Sequence, residues 1–149
     1  MKKSLLAFVS VFTVAVLCMS SVRAGVNEKV LQSFHRVFSD ASNVAWSEFS
    51  DHFQASFRQN EMIIKVSYDK DGNMLSSMRY YKEQNLPLNV LYKVKKKYAD
   101  KKIDIVTEVS NADGVSYVIQ LEDEKGYTII KSDDSGTLVP VDSFNKIPE

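Results

Sequence analysis

Two stretches of this sequence run in parallel, and no other feature restricts the fold as much. Val30-Leu31, Phe34 and Phe38 align with Val90-Leu91, Val94 and Tyr98, and Phe53-Gln-Ala-Ser-Phe57 aligns with Val115-Ser-Tyr-Val-Ile119. Met62-Ile-Ile-Lys65 then aligns with Thr128-Ile-Ile-Lys131, and Asp69-Lys-Asp-Gly72 with Asp133-Asp-Ser-Gly136. A shared order of this kind marks two copies of one supersecondary unit. The copies run over about 25 to 81 and about 86 to 144. Lys82-Glu-Gln-Asn85 joins them and is too short to separate independent domains.

Each copy opens with a helix. Val26, Val30, Leu31, Phe34, Val37 and Phe38 recur at three- and four-residue steps, and Asn27 is suited to cap the helix they form. The second stripe is Val90, Leu91, Val94 and Tyr98, in a helix that begins at Pro87. Both stripes are one-sided, so each helix is expected to lie on a sheet. After each helix the period changes to two. Strands are expected near 43–49, 52–58, 61–68 and 74–81, then near 103–110, 114–122, 125–132 and 137–142. Phe53, Ala55 and Phe57 alternate with Gln54, Ser56 and Arg58, while Val115, Tyr117, Ile119 and Leu121 face one way. Turns fall at Ser50-Asp51, Gln59-Asn60, Asp71-Gly72, Asp113-Gly114, Lys125-Gly126 and Ser135-Gly136. The expected fold class is α+β, two tandem helix-plus-four-stranded antiparallel repeats whose sheets pack on each other or join into one.

Residues 1–24 read as a cleavable signal peptide. Met1, Lys2 and Lys3 give a positive start, Leu5 to Met19 an apolar core, and Val22-Arg23-Ala24 a small residue where a signal peptidase cuts, after Ala24. A retained signal anchor is one alternative, although the apolar core falls short of the ~20 residues that span a bilayer. A lipoprotein anchored through Cys18 is another, but bulky Leu17 stands where such signals want a small residue. The expected location is the periplasm or the exterior, with no membrane span after cleavage. Because Cys18 is the single cysteine, the body at 25–149 holds no disulfide and relies on core packing. Losing Lys2, Lys3 and Arg23 takes the 19 basic residues to 16 against 19 acidic, three negative, which argues against nucleic acid as a partner. A body of about 125 residues makes one domain.

Phe38-Ser-Asp-Ala41 followed by Val44-Ala-Trp46, the run Tyr68-Asp-Lys-Asp-Gly72, and Leu86-Pro87 opening a helix that ends at Tyr98 together resemble the PepSY-like family, as does the second glycine turn at Gly136. These are small exported bacterial proteins also described as beta-lactamase-inhibitor-like. The resemblance covers the whole of 25–149 and departs from the family at Ser39, where proline is usual. It implies an architecture like beta-lactamase inhibitory protein, with two helix-plus-four-strand repeats and a broad, concave sheet face. Fold alone does not settle function.

Signs of chemistry are few. His35 and His52 have no cysteine or His-x-x-Glu spacing beside them, so no metal site is expected. Neither a Gly-x-Ser-x-Gly turn nor a cysteine outside the leader is present to serve as a nucleophile, and the expectation is a chain that is not an enzyme and carries no cofactor. Asp69-Lys-Asp-Gly72 begins like a calcium loop but lacks the distal Glu, which favours a hairpin turn. Lys93, Lys95, Lys96, Lys97, Lys101 and Lys102 cluster at the end of the second helix, either as a solvated face or as a site for an acidic partner or anionic membrane surface.

The aromatic residues carry the functional expectation. Trp46, Phe49, Phe53, Phe57, Tyr68, Tyr80, Tyr81, Tyr117 and Tyr127 lie mostly on strands, and strands have two faces, so some of them face outward. Aromatic anchors on a rigid surface are common recognition hot spots. The candidate binding residues are Trp46, Tyr80, Tyr81 and Tyr117; for Trp46, packing beneath the first helix is an equal reading. The function expected is an exported binding module that holds an envelope or extracellular protein on its open sheet face and restrains it if it is an enzyme. The alternative is a small-molecule sensor or carrier, which a large apolar cavity would favour.

Overall fold

A computed structural model of the chain describes residues 25–146; the leader read over residues 1–24, its cleavage point and Cys18 lie outside the described residues. Helix α1 (Glu28–Val37) is followed by strands β1 (Ala45–Glu48), β2 (His52–Gln59), β3 (Met62–Asp69) and β4 (Met74–Tyr81). A 3₁₀ turn at Glu83–Asn85 leads to helix α2 (Leu88–Lys97), then β5 (Lys102–Asn111), β6 (Gly114–Glu122), β7 (Gly126–Asp133) and β8 (Leu138–Asn145). All eight strands form one antiparallel sheet in chain order. The two groups of four join, rather than stack, because β4 pairs with β5 from Ser77 opposite Ser110 to Tyr81 opposite Val106.

Several expected boundaries move: β1 is shorter than 43–49 and the β5–β6 turn lies on Ala112-Asp113 rather than Asp113-Gly114, and three further shifts have a visible cause. Pro87 is the N-cap of α2, whose first helical residue is Leu88, so the proline presets the entry rather than the first turn. The β2–β3 turn is centred on Asn60-Glu61, one residue later than expected, and both lie at positive φ (48° and 64°), the geometry of a tight hairpin turn. Strand β8 runs on to Asn145 because Tyr127 of β7 pairs with Phe144.

Both helices cover the same side of the sheet, as their apolar stripes require. Under α1, Val30 and Phe34 pack on Phe53, Ala55 and Phe57 of β2 and on Ile64, Val66 and Tyr68 of β3. Under α2, Val90 and Val94 pack on Tyr81, Val106, Ile119, Leu121 and Ile130. Met62 packs against both clusters and bridges them.

The turns that follow β3 and β7 dock on the helix starts. Asn27 Oδ1 accepts the Val30 N–H at 3.0 Å, capping α1, while its Nδ2 donates to the Lys70 carbonyl at 2.8 Å. Asn89 Nδ2 likewise donates to the Asp134 carbonyl at 2.8 Å, and Lys93 Nζ donates to the Ser135 carbonyl at 2.9 Å. Within the turns, Asp69 Oδ1 accepts from the N–H groups of Asp71 and Asn73, both at 2.9 Å, and its Oδ2 accepts from Asn73 Nδ2 at 2.8 Å. Its carboxylate is thus occupied by its own hairpin, in line with the turn reading rather than a calcium loop.

Turn carboxylates of this kind tie stability to pH. Asp133 is held at a pKa of about 2 by the Ser135 hydroxyl and the Thr137 N–H, and Asp123 at about 2 by the Lys101 ammonium and the N–H groups of Gly126 and Lys125. Both lie below the ordinary 3.8, so what they contribute is complete above about pH 4 and is lost as pH falls through about 2. Urea midpoints are expected to drop between pH 4 and pH 2, with a shallower drop in Asp123→Asn and Asp133→Asn. Equal slopes in wild type and both variants would contradict this.

Candidate functional site

With both helices on one side, the other side of the sheet is left open among the described residues. One row of that face follows from the register: Arg58 opposite Ile63, Ile63 opposite Tyr80, Tyr80 opposite Thr107, Thr107 opposite Val118, Val118 opposite Lys131 and Lys131 opposite Val139. Neighbouring rows add Lys65, Met78 and Val109 on one side and Gln120 and Ile129 on the other. Ile63, Met78, Val139 and Phe144 are exposed, with 38%, 36%, 54% and 55% of their surface accessible. An apolar face of this breadth, studded with cations, is unusual for a surface facing only water.

Tyr80 stands in the middle of it. Its ring lies 5.7 Å from Lys65 Nζ, and its hydroxyl points to Met78 Sδ at 3.5 Å. Beside it, a cleft of about 150 Å³ opens between Arg58, Ile63, Lys82, Gln84 and Ile105.

The other candidate residues lie on the helix side. Tyr81 follows Tyr80, so the pleat turns it the opposite way. It is buried, and its hydroxyl donates to Glu108 Oε2 at 2.6 Å. Glu108 is itself buried and receives Arg79 Nε at 3.0 Å on its other oxygen, so the ion pair and the phenol satisfy one another at the β4–β5 seam. Burial and then the Glu108 carboxylate raise the Tyr81 pKa. Tyr117 is buried in the same cluster, with its pKa raised by burial first and Glu108 second. Trp46, opposite Ala55, is half-buried and meets Phe34 edge-on at 5.2 Å. The expectation of outward-facing aromatics therefore fits the position of Tyr80; for Tyr81 and Tyr117 it fails, because they share a strand face with Val106, Ile119 and Leu121.

Two tyrosines give a paired test. The Tyr68 hydroxyl is buried without a hydrogen-bond partner among the described residues, whereas Tyr81 bonds a carboxylate. Tyr81→Phe is expected to cost about 1–3 kcal/mol, and Tyr68→Phe to leave stability unchanged or raise it by up to about 1 kcal/mol. Chemical denaturation of both would refute the assignment if the order were reversed.

The remaining sequence candidates sort by contact. His52 stacks on Phe49 at 4.4 Å with Nδ1 2.8 Å from Asp51, and His35 is exposed on α1. Among the described residues, no group of three or more His, Cys, Asp and Glu side chains converges as a metal site. Of the lysines around α2, Lys95 pairs with Glu83, Lys101 pairs with Asp123, and Lys93 meets the Ser135 carbonyl, while Lys96 and Lys97 lie over the rings of Tyr92 and Tyr98. The larger cleft, about 540 Å³, is lined by charge: Asp100, Lys102, Glu122, Asp123, Glu124, Lys125 and Lys146. No helix among the described residues is long and apolar enough to cross a membrane.

No protein-family model matches the sequence, and no curated protein matches it. Solved structures do. A BLIP-like protein from Bacteroides fragilis is 16% identical with a TM-score of 0.63, over 83% of this chain and 89% of that one. A protein classed as periplasmic from Bacteroides eggerthii is 17% identical with a TM-score of 0.62, over 80% and 88%. A DUF2874 family protein from Bacteroides ovatus is 20% identical with a TM-score of 0.61, over 79% and 86%. The chain thus has a BLIP-like fold.

Proposed function

We propose that this chain is an exported, non-enzymatic binding module that holds a protein partner on the open face of its sheet. The observation that carries the reading is the face itself: a rigid antiparallel sheet whose outward row sets Ile63, Tyr80, Thr107 and Val118 side by side, between Arg58 and Lys131. Export rests on the leader read over residues 1–24, with cleavage after Ala24, and on the likeness to a protein classed as periplasmic. Assignment to the PepSY-like family and descent from a duplicated helix-plus-four-strand unit belong to the same proposal. Support for the duplication comes from paired details: Phe38 and Tyr98 end their helices with nearly the same backbone, φ of −120° and −125°, and Gly72 and Gly136 share φ of 86° and 85°. Restraint of a partner that is an enzyme belongs to the same proposal, on the resemblance to beta-lactamase-inhibitor-like proteins carried by the sequence.

A filled interior favours this reading over a small-molecule carrier, since Val30, Phe34, Val90, Val94 and Ile119 close the space between helices and sheet. The test is an envelope pull-down with three proteins: wild type, Val118→Asp in the centre of the open face, and Gln32→Asp on the outward side of α1. Wild type and Gln32→Asp are expected to retain the same partner and Val118→Asp to lose it. Retention by all three would remove the open face from consideration.

A further inference from the structure

We propose that the open face takes an acidic partner segment, which sets one aliphatic or aromatic side chain into the cleft beside Tyr80 and lays carboxylates against Arg58, Lys65 and Lys131; this rests on reading that face as the docking surface. The charge pattern points to it. Lys29, Lys82, Lys95, Lys101 and Lys146 each have a carboxylate partner within the fold. Among the described residues, Arg58, Lys65 and Lys131 on the open face are in no such pair, although apolar neighbours flank all three. The acids nearby offset them only in part. Asp104 is taken by Lys82 and by Gln120 Nε2 at 2.8 Å, which leaves Asp142 opposite Ile129 and Glu61 at the cleft.

The three cations against Asp142 and Glu61 leave the middle of the face one net positive charge, on a body that, over residues 25–149, carries three net negative charges. A field of that sign recruits carboxylates and repels basic segments, and it acts most strongly where apolar surface lowers the local dielectric. The cleft supplies the second half of the recognition. Its volume of about 150 Å³ admits one side chain, Ile63, Tyr80 and Ile105 give it apolar walls, and Arg58, Glu61 and the Asp104-paired Lys82 also line it. An apolar residue that enters there brings its flanking backbone within reach of Arg58, so an acid next to it in sequence completes the contact.

The experiment selects peptides from a displayed random library on the protein comprising residues 25–149. Synthetic versions of the winners are then titrated against wild type, against Arg58→Gln/Lys65→Gln/Lys131→Gln, and against Val118→Asp, each checked for native circular dichroism. Enrichment of Asp or Glu beside Leu, Phe, Tyr or Trp is expected, with affinity falling about ten-fold or more in the triple variant, and with added salt weakening binding to wild type more than to the triple variant. Enrichment of neutral or basic peptides would overturn the proposal, as would acidic peptides that bind the triple variant equally well. Loss of binding in Val118→Asp alone would keep the docking face and discard the acidic partner; no loss in either variant would discard both. Binding to phosphatidylglycerol vesicles that the triple variant abolishes, with no peptide enriched, would overturn it in favour of a lipid surface.

Discussion

Replacing Phe34 with alanine is expected to remove about 3–5 kcal/mol of stability, the range for deleting a fully buried aromatic ring. Phe34 is 1% exposed and sits at the centre of an aromatic cluster, 5.2 Å from Trp46, 5.4 Å from Phe57 and 5.3 Å from Phe38 between ring centroids. Two of those contacts are edge-to-face, which adds to the area buried. The void left behind cannot close easily. The ring is pinned between a helix and a sheet whose backbone is fixed by hydrogen bonds on both sides, so neighbours relax only in part. Arg36, exposed two residues further on, is the control, and Arg36→Ala is expected to change stability by less than about 0.5 kcal/mol. Equilibrium urea unfolding reads both. A cost below about 1 kcal/mol for Phe34→Ala would mean that α1 is not anchored on the sheet.

Gly72→Ala is expected to cost about 2–4 kcal/mol and Gly136→Ala about 1 kcal/mol, although the two glycines have nearly the same backbone. Both occupy the left-handed region, with φ of +86° and +85°, so both variants carry the strain of an L-residue there. What differs is the neighbour. A Cβ at Gly72 would stand 2.8 Å from the Lys29 carbonyl oxygen, a backbone atom in the first turn of α1 that cannot move without disturbing the helix start. A Cβ at Gly136 would meet Lys93 Cδ at 2.8 Å and the Asn89 carbonyl only at 3.5 Å; the lysine chain can swing aside. Comparing the two urea midpoints checks this directly, and equal costs would contradict it.

Local elements were legible because both helices and most strands bury one face only. In β2, the alternation of Phe53, Ala55 and Phe57 with polar neighbours survives as alternating burial. The joining of the sheets was not legible: pairing of β4 with β5 reaches across α2, and no periodicity within either strand encodes its neighbour. Faces were legible only in part. Adjacent Tyr80 and Tyr81 must point to opposite sides, yet the pattern does not say which is outward, because β4 is flanked by apolar residues on both faces. For Tyr117 the signal was present. It shares a period-two set with Val115, Ile119 and Leu121, and the more apolar set of a strand covers the core. The outward set Ile63, Met78, Val109, Val118 and Ile129 was not legible because these residues lie on five different strands and become neighbours only when the strands are in register.

The central claim is that contact with a partner occurs on the open face and not on the helix side. Photo-reactive benzoylphenylalanine placed at Thr107, between Tyr80 and Val118, and separately at Gln32 on the outward side of α1, tests it in the native cell envelope. The account predicts one discrete cross-linked species from position 107 and none from position 32; a species from position 32 with none from position 107 would contradict it.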